Sequence, residues 1–496
     1  MRNFVIFIII VLGISSCVIF NKKGSIELET LPNDLAQKYA ASITEKDLEK
    51  HLTVLASDEY EGRETAMPGQ KKAAKYIENH FSAIGLAPGL SDDSYQQSFP
   101  VELKDPSKVE FKINGTELTF LDHFYYLGNL NDTVYNQVEV VELGFGVDAE
   151  TYSDYKNKDV AGKFILIKEG IPEKIELSAA WGSWRNKLDA AANHGALGMI
   201  TIQNKFDDRV DQIRMFVENP RMQLHDKGNQ QYNYSIPNIY VSDSLVNAYE
   251  WNGEMTVDLA IQTKELLSSE NVLGFMEGTD LKEEIVVITA HYDHIGYDNG
   301  EICNGADDDG SGTVSLLEIA EAFTLAKSAG NGPRRSILFM TVSGEEKGLL
   351  GSQYYSEHPV YPLENTVVDL NIDMIGRKDS LHDNDQYVYL IGADRISKDL
   401  HYISEEVNKE LIDFYLDYTY NEEDDPNHFY YRSDHYNFAK HNIPVIFYFS
   451  GVHEDYHKPT DDVDKILFPK LAKTAKLIFY TAWEIANRTE RIRKNA

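Results

Sequence analysis

With 496 residues, the chain is long enough to bury a large core and to divide into more than one domain. Its hydrophobic content of 42% is ordinary for a globular protein and excludes a polytopic membrane protein. Lys and Arg number 47 against 80 Asp and Glu, a formal net charge of -33, which excludes the basic surface that nucleic acid requires and reads as a strongly solvated exterior.

Residues 1–17 read as an export signal. Arg2 supplies a positive charge, residues 4–14 are apolar, and Ser15-Ser16-Cys17 follows. Because the small residues end at a cysteine, the segment resembles a bacterial lipoprotein signal. That resemblance implies acylation of Cys17, export from the cytoplasm, and a lipid anchor on the periplasmic or outer-surface side of a bacterial membrane. The competing reading is an uncleaved anchor helix, for which the apolar run to Phe20 is short and broken by two serines. With Cys17 acylated, only Cys303 remains and no disulfide can form.

Residues 18–45 read as a linker and first helix. A main domain is expected from 46–125 and 269–496, interrupted by a block at 126–268. In the first part, Ala74, Ile77, Phe81 and Ile84 recur at helical spacing and Gly85 is a helix stop. A polar, charge-rich loop spans 57–65. The block at 126–268 contains strand-like runs at 164–168, 198–202 and 236–241 and a helical stretch through 190–196, but no ligand-like cluster. Glu422-Glu423-Asp424-Asp425 reads as a solvated acidic loop.

From residue 271 onward, short β-branched or aromatic runs alternate with helical patterns such as 312–326. The runs at 285–290, 337–342, 367–372, 387–391 and 444–449 suit strands buried on both faces. This pattern predicts an α/β fold with a doubly wound, mostly parallel sheet. Ligands in such sheets bind beyond the carboxyl ends of the strands. His291, Glu345 and Asp373 all fall there.

The acids and imidazoles at these ends form a chemical pattern. Alternation along a strand puts His291 and Asp293 on the same side, where the acid can orient the imidazole. Asp307-Asp308-Asp309 crowds three carboxylates ahead of a helix, which favours a bound cation, while Asp309 or Ser311 can cap. Of Glu345 and Glu346, one can ligate while the other faces substrate as a general base. Asp373 ends the 367–372 run. His435, His453 and His457 are three candidates for a further ligand, and spacing does not choose among them. Ser433-Asp434-His435 is either a supporting hydrogen-bond network or a structural one. A His, Asp and Glu set of this kind suits two zinc ions.

Five ordered motifs carry a resemblance: His291-Tyr292-Asp293-His294, 304–312 (NGADDDGSG), 343–352 (SGEEKGLLGS), 371–374 (NIDM) and Asp455-Tyr456-His457. Together they resemble the co-catalytic zinc aminopeptidases of peptidase family M28, the bacterial leucyl aminopeptidase type. The resemblance implies that His291, Asp308 and Asp373 hold one zinc and that Asp308, Glu346 and His457 hold the other. It implies Glu345 as general base, Asp293 as the acid behind His291, and Tyr456 as a group steadying the oxyanion. The block at 126–268 resembles the protease-associated (PA) domain inserted in this family. Cys303 departs from the expected pattern before Asn304. Peptides cut at their N-terminal residue are the implied substrates. Carboxypeptidases and glutaminyl cyclases share the fold, and Arg377 and Arg432 are available to hold a terminal carboxylate. A non-catalytic surface-binding lipoprotein is the reading from another class, and it would be marked by lost ligands.

Overall fold

The apolar run IVVITA becomes the middle of the strand Leu281–His291, the axis of the molecule. In the computed structural model, which describes residues 26–126, 132–217, 219–225, 236–248 and 254–495, its residues alternate between two cores. Val286, Ile288 and Ala290 enter one core, and Ile285 and Val287 enter the other. A period of two with both faces apolar demands cover on both sides. The helices Gly312–Ser328 and Phe468–Asn487 supply it on the first face, with Phe323 and Phe479 packed at a centroid distance of 4.8 Å. Tyr355 of Leu350–Glu357 and Phe438 of His435–Ala439 supply it on the second.

Leu281–His291 pairs in parallel with Arg335–Val342 and Thr366–Ile372, and the latter in parallel with Val445–Phe449. These four central strands match the expected parallel arrangement. The rest of the ten-stranded sheet is mixed. On one side Lys264–Met276, Gln96–Lys104 and Arg221–Leu224 add antiparallel strands; on the other, Tyr387–Ile391 runs antiparallel to Val445–Phe449. The expectation of a mostly parallel sheet is therefore corrected at its flanks. Gln96–Lys104 contains Pro100 and polar residues, and the first half of Lys264–Met276 is polar, so neither has the apolar run of a strand buried on both faces.

A second, eight-stranded sheet forms within the intervening chain. Its strands run from Val109–Ile113 to Thr256–Ile261, which shifts the expected limits of 126 and 268. Phe111 and Ile113 bury against Val257, Leu259 and Ile261, so the chain before 126 already belongs to this sheet. The chain beyond Ile261 returns to the large sheet through Lys264–Met276.

Helix Pro68–Ile84 ends at Gly85, whose φ of 83° is the left-handed conformation that terminates helices. The charged loop before it is largely a clamp. Arg63 is 1% exposed and donates to the carbonyls of Leu55, Tyr292, Asn304 and Gly305. It ties the first helices to the carboxyl end of the central strand. Cys17 and the whole signal-like segment lie outside the described residues. Among the described residues, no helix is long and apolar enough to cross a membrane.

Candidate metal centre

Three adjacent aspartates lie at the start of the helix Gly312–Ser328, and the fold gives each a different environment. Asp309 accepts from the backbone N–H groups of His291 (3.2 Å), Gly312 (2.9 Å) and Met374 (3.0 Å), stapling two strand ends to a helix start. Asp307 accepts from Gly376 N at 2.6 Å and faces His453 Nε2 at 3.3 Å. Asp308 alone turns toward the cleft. Its backbone N–H and that of Asp307 donate to Asp461, at 3.2 and 3.0 Å. Gly305, at φ 54°, lets the chain turn into this loop; a Cβ there would meet the ring of His294 and the carbonyl of Asp308.

Around Asp308 the expected ligands converge. His291 Nε2 lies 3.4 Å from Asp308 Oδ1 and 3.6 Å from Asp373 Oδ1. His457 Nε2 lies 3.1 Å from Asp308 Oδ2 and 3.1 Å from Glu346 Oε2. Asp308 thus faces two donor groups with its two oxygens, as a bridging carboxylate would. Ser433 Oγ donates to the far oxygen of Asp373 at 2.6 Å and Asn371 donates to Ser433 at 2.8 Å, so Ser433 belongs to a network that orients a candidate ligand.

Of the three candidate histidines, His457 is the one at this cluster. His453 serves Asp307. His435 is fully buried, stacks on Phe447 at 4.9 Å, and burial pushes its pKa down to about 3. The choice depends on which loop returns to the strand ends, which spacing does not encode.

Sequence reasoning missed His294. Its Nδ1 lies 2.9 Å from Glu346 Oε1 and 3.8 Å from Asp308 Oδ2, and it is fully buried, whereas the side chain of His457 is 36% exposed. His294, Asp308 and Glu346 form a ligand-competent group in their own right, alongside His291, Asp308 and Asp373. The available signal was its place in the His291-Tyr292-Asp293-His294 motif. Removing the imidazole with His294→Ala is expected to weaken metal binding at Glu346 by about 10- to 100-fold, the usual cost of losing an orienting partner. Competition with a chromophoric chelator measures this, and an unchanged affinity would assign His294 to packing alone.

Asp293 stands behind His291, as expected, though the nearest acceptor to His291 Nδ1 is the Asp293 backbone carbonyl at 3.2 Å, with Oδ1 at 3.8 Å. Its carboxylate accepts from Thr65 Oγ1 at 2.6 Å and from Glu345 N at 3.3 Å. Asp293 therefore holds the backbone of the candidate base as well as sitting by the candidate ligand. Glu345 is partly buried and lines the same cleft as Asp308, Asp373, Arg432 and Tyr456. Tyr456 stacks on His457 at 3.8 Å. Phe429, Phe447, Phe449 and Val452 line the cleft's apolar side, where a cavity of about 30 Å³ remains. Asp425, expected in a solvated acidic loop, is 6% exposed and accepts from Asn427 N and Phe429 N, which fixes Phe429 in that lining. Arg377 is held by Asp455 at 3.0 Å, which leaves Arg432 as the arginine of the cleft.

The electrostatics fit a cation. Burial alone would lower the His457 pKa, but the Asp308 and Glu346 carboxylates raise it to about 10; His291 is likewise raised by Glu345 and Asp373 against its burial. Burial opposes ionisation of Asp308, yet bonds from His291 and His457 hold it well below the usual range. Burial, with Glu346 and Asp373 nearby, pushes Glu345 well above it. The carboxylates thus draw protons onto the imidazoles, a response that a divalent cation replaces by displacing those protons. His291 Nε2, His457 Nε2 and Asp308 Oδ2 are buried without a well-aligned hydrogen-bond partner, and one kind of ligand, a metal ion, satisfies them together. Nitrogen and carboxylate oxygen donors are those zinc takes.

The family profile described as "Peptidase family M28" matches residues 271–482, the segment that carries His291, Asp308, Glu345, Glu346, Asp373 and His457. A probable leucine aminopeptidase from Arthroderma benhamiae is 31% identical over 211 residues, covering 41% of this chain and 55% of that protein. Aminopeptidase YwaD from Bacillus subtilis is 32% identical over 143 residues, covering 28% of this chain and 29% of that protein. The chain spans about half the length of the first of these relatives. Among solved structures, the aminopeptidase from Aneurinibacillus sp. strain AM-1 is 20% identical with a TM-score of 0.49, over 93% of this chain and 98% of that one. Residues 271–482 of this chain therefore match the profile of peptidase family M28.

Proposed function

We propose that the protein is a zinc-dependent aminopeptidase that removes N-terminal residues from peptides. The observation that carries this reading is the pair of candidate ligand groups sharing Asp308, His291 with Asp373 and Glu346 with His457 or His294, with Glu345 lining the same cleft and belonging to neither group. Two zinc ions held there would supply Lewis-acid activation of a water and of the scissile carbonyl. Glu345 takes the proton of the attacking water and passes it to the leaving amine. Its raised affinity for protons, caused by burial, suits that shuttle. Asp293 fixes the Glu345 backbone, and Tyr456, which lines the same cleft, would donate its hydroxyl to the developing oxyanion. Phe429, Phe447, Phe449 and Val452 offer an apolar seat for the residue being released.

A panel of peptides with free or acetylated N-termini, assayed with and without chelator, tests the reading. We expect stepwise release from free N-termini only, abolished by chelation. Cleavage of acetylated peptides at the carboxyl end would instead favour the carboxypeptidase reading, for which Arg432 in the cleft is the specific observation. Cyclisation of N-terminal Gln without hydrolysis would favour the cyclase.

A further inference from the structure

The second sheet carries a cavity of its own. Phe164–Lys168, Gly198–Gln203 and Asn238–Ser242 are parallel, and Phe124–Tyr126 adds an antiparallel edge. Their register sets Ile167, Thr201, Tyr240 and Tyr125 in one row across four strands, with Glu169 and Gln203 beyond it. One face of this sheet packs on its own apolar core. On the opposite face, helix Trp184–Asn193 covers Ile165, Ile167 and Met199, while helix Phe206–Val217 covers Tyr125 and Tyr240. Between the two helices lies a cavity of about 270 Å³ lined by that row, Trp184, Lys187 and Arg209. It sits at the carboxyl ends of the parallel strands, where open α/β sheets bind ligands. Its volume is at the lower limit of small-molecule pockets, about 300 Å³, too small for a folded partner or a long peptide.

The lining is specific. Tyr125 and Tyr240 stack at 4.8 Å with an interplanar angle of 10°, presenting an aromatic wall. Lys187 is 3% exposed, and its ammonium, with three donor protons, has the Gly170 carbonyl as its partner and no ion pair among the described residues. A buried cation without a close ion pair is costly. Burial lowers the affinity of Lys187 for its proton, and Asp154 and Glu169 offset this only in part. Glu169, also without an ion pair, is steered by Gln203 Nε2 at 2.7 Å, and Gln203 in turn accepts from Tyr125 at 2.9 Å. Among the described residues, Arg209 bonds Gln212 at 3.1 Å, interacts with the Tyr125 hydroxyl and pairs with no carboxylate. Two cations and one anion, none in a close ion pair among the described residues, therefore surround an aromatic cavity of single-residue size.

We infer that this cavity binds a free α-amino acid with an aromatic or large apolar side chain. Its carboxylate meets Lys187 and Arg209, its ammonium meets Glu169, and its side chain lies against Tyr125, Tyr240 and Trp184. Such a ligand is also what the proposed hydrolysis releases, but the site stands apart from the metal centre and its test does not use turnover.

Calorimetric titration of the full, metal-loaded chain with phenylalanine, 3-phenylpropionate and phenethylamine tests it. Phenylalanine is expected to bind at one equivalent, and each truncated probe about tenfold or more weakly. Glu169→Gln, a change at an exposed carboxylate, should weaken phenylalanine and phenethylamine about 10- to 100-fold and leave 3-phenylpropionate unchanged. Lys187→Met should do the reverse, weakening phenylalanine and 3-phenylpropionate alone. Absence of phenylalanine binding up to about 10 mM, or binding that neither substitution alters, overturns the inference. The second outcome is also what binding at the metal centre would give.

Discussion

Glu345→Gln is expected to leave the protein folded and metal-loaded while lowering kcat by about 10²–10⁴-fold, the usual contribution of general acid–base catalysis. The substitution keeps the shape and polarity of the side chain. It also keeps the Glu345 backbone bond to Asp293 Oδ1 at 3.3 Å, and it leaves His291, Asp308, Glu346, Asp373 and His457 in place. The loss should therefore fall on kcat with little change in KM, because the amide cannot take a proton from water. Steady-state kinetics, with metal content measured on the same sample, checks this. A kcat near that of the wild type would move the base to another group.

Asp308→Asn is expected to be more severe. Among the described residues, Asp308 is the one carboxylate that faces both His291 at 3.4 Å and His457 at 3.1 Å. An amide keeps the volume and removes the charge that both ligand groups share. Metal should fall below stoichiometry, and turnover should drop by more than the about 10²–10⁴-fold attached to loss of a general base. The backbone turn itself should survive, because the Asp461 carboxylate still accepts from the N–H groups of residues 307 and 308. Circular dichroism would verify that. Full metal retention with wild-type turnover would remove Asp308 from its bridging role.

The candidate metal cluster was legible in the sequence where local rules govern position. The run before His291 is apolar on both faces, so its strand is buried and its carboxyl end delivers His291 to the cleft; the same holds before Glu345 and Asp373. Other features depend on tertiary return and left no local mark. Nothing in the spacing separated His457 from His435 and His453, and His294 gained meaning only when Glu346 arrived from another strand end 2.9 Å away. Arg63 reads as one more charge in a polar loop, yet four carbonyls from three segments bury it. Asp425 reads as a solvated acid and is instead a turn acceptor under the cleft wall. The antiparallel flanks of the large sheet were missed because Gln96–Lys104 and Lys264–Met276 are partly polar and lack a clean buried run. The limits of the second sheet moved for the same reason: pairing of Val109–Ile113 with Thr256–Ile261 is a long-range event.

We propose a two-metal site built on one shared carboxylate, that of Asp308. Its most direct test is a zinc titration of fully chelated protein, with bound metal and aminopeptidase turnover measured at each step. Two tightly bound equivalents are expected, with full activity reached only at the second. Full activity at one equivalent, or activity that survives exhaustive chelation, would contradict it.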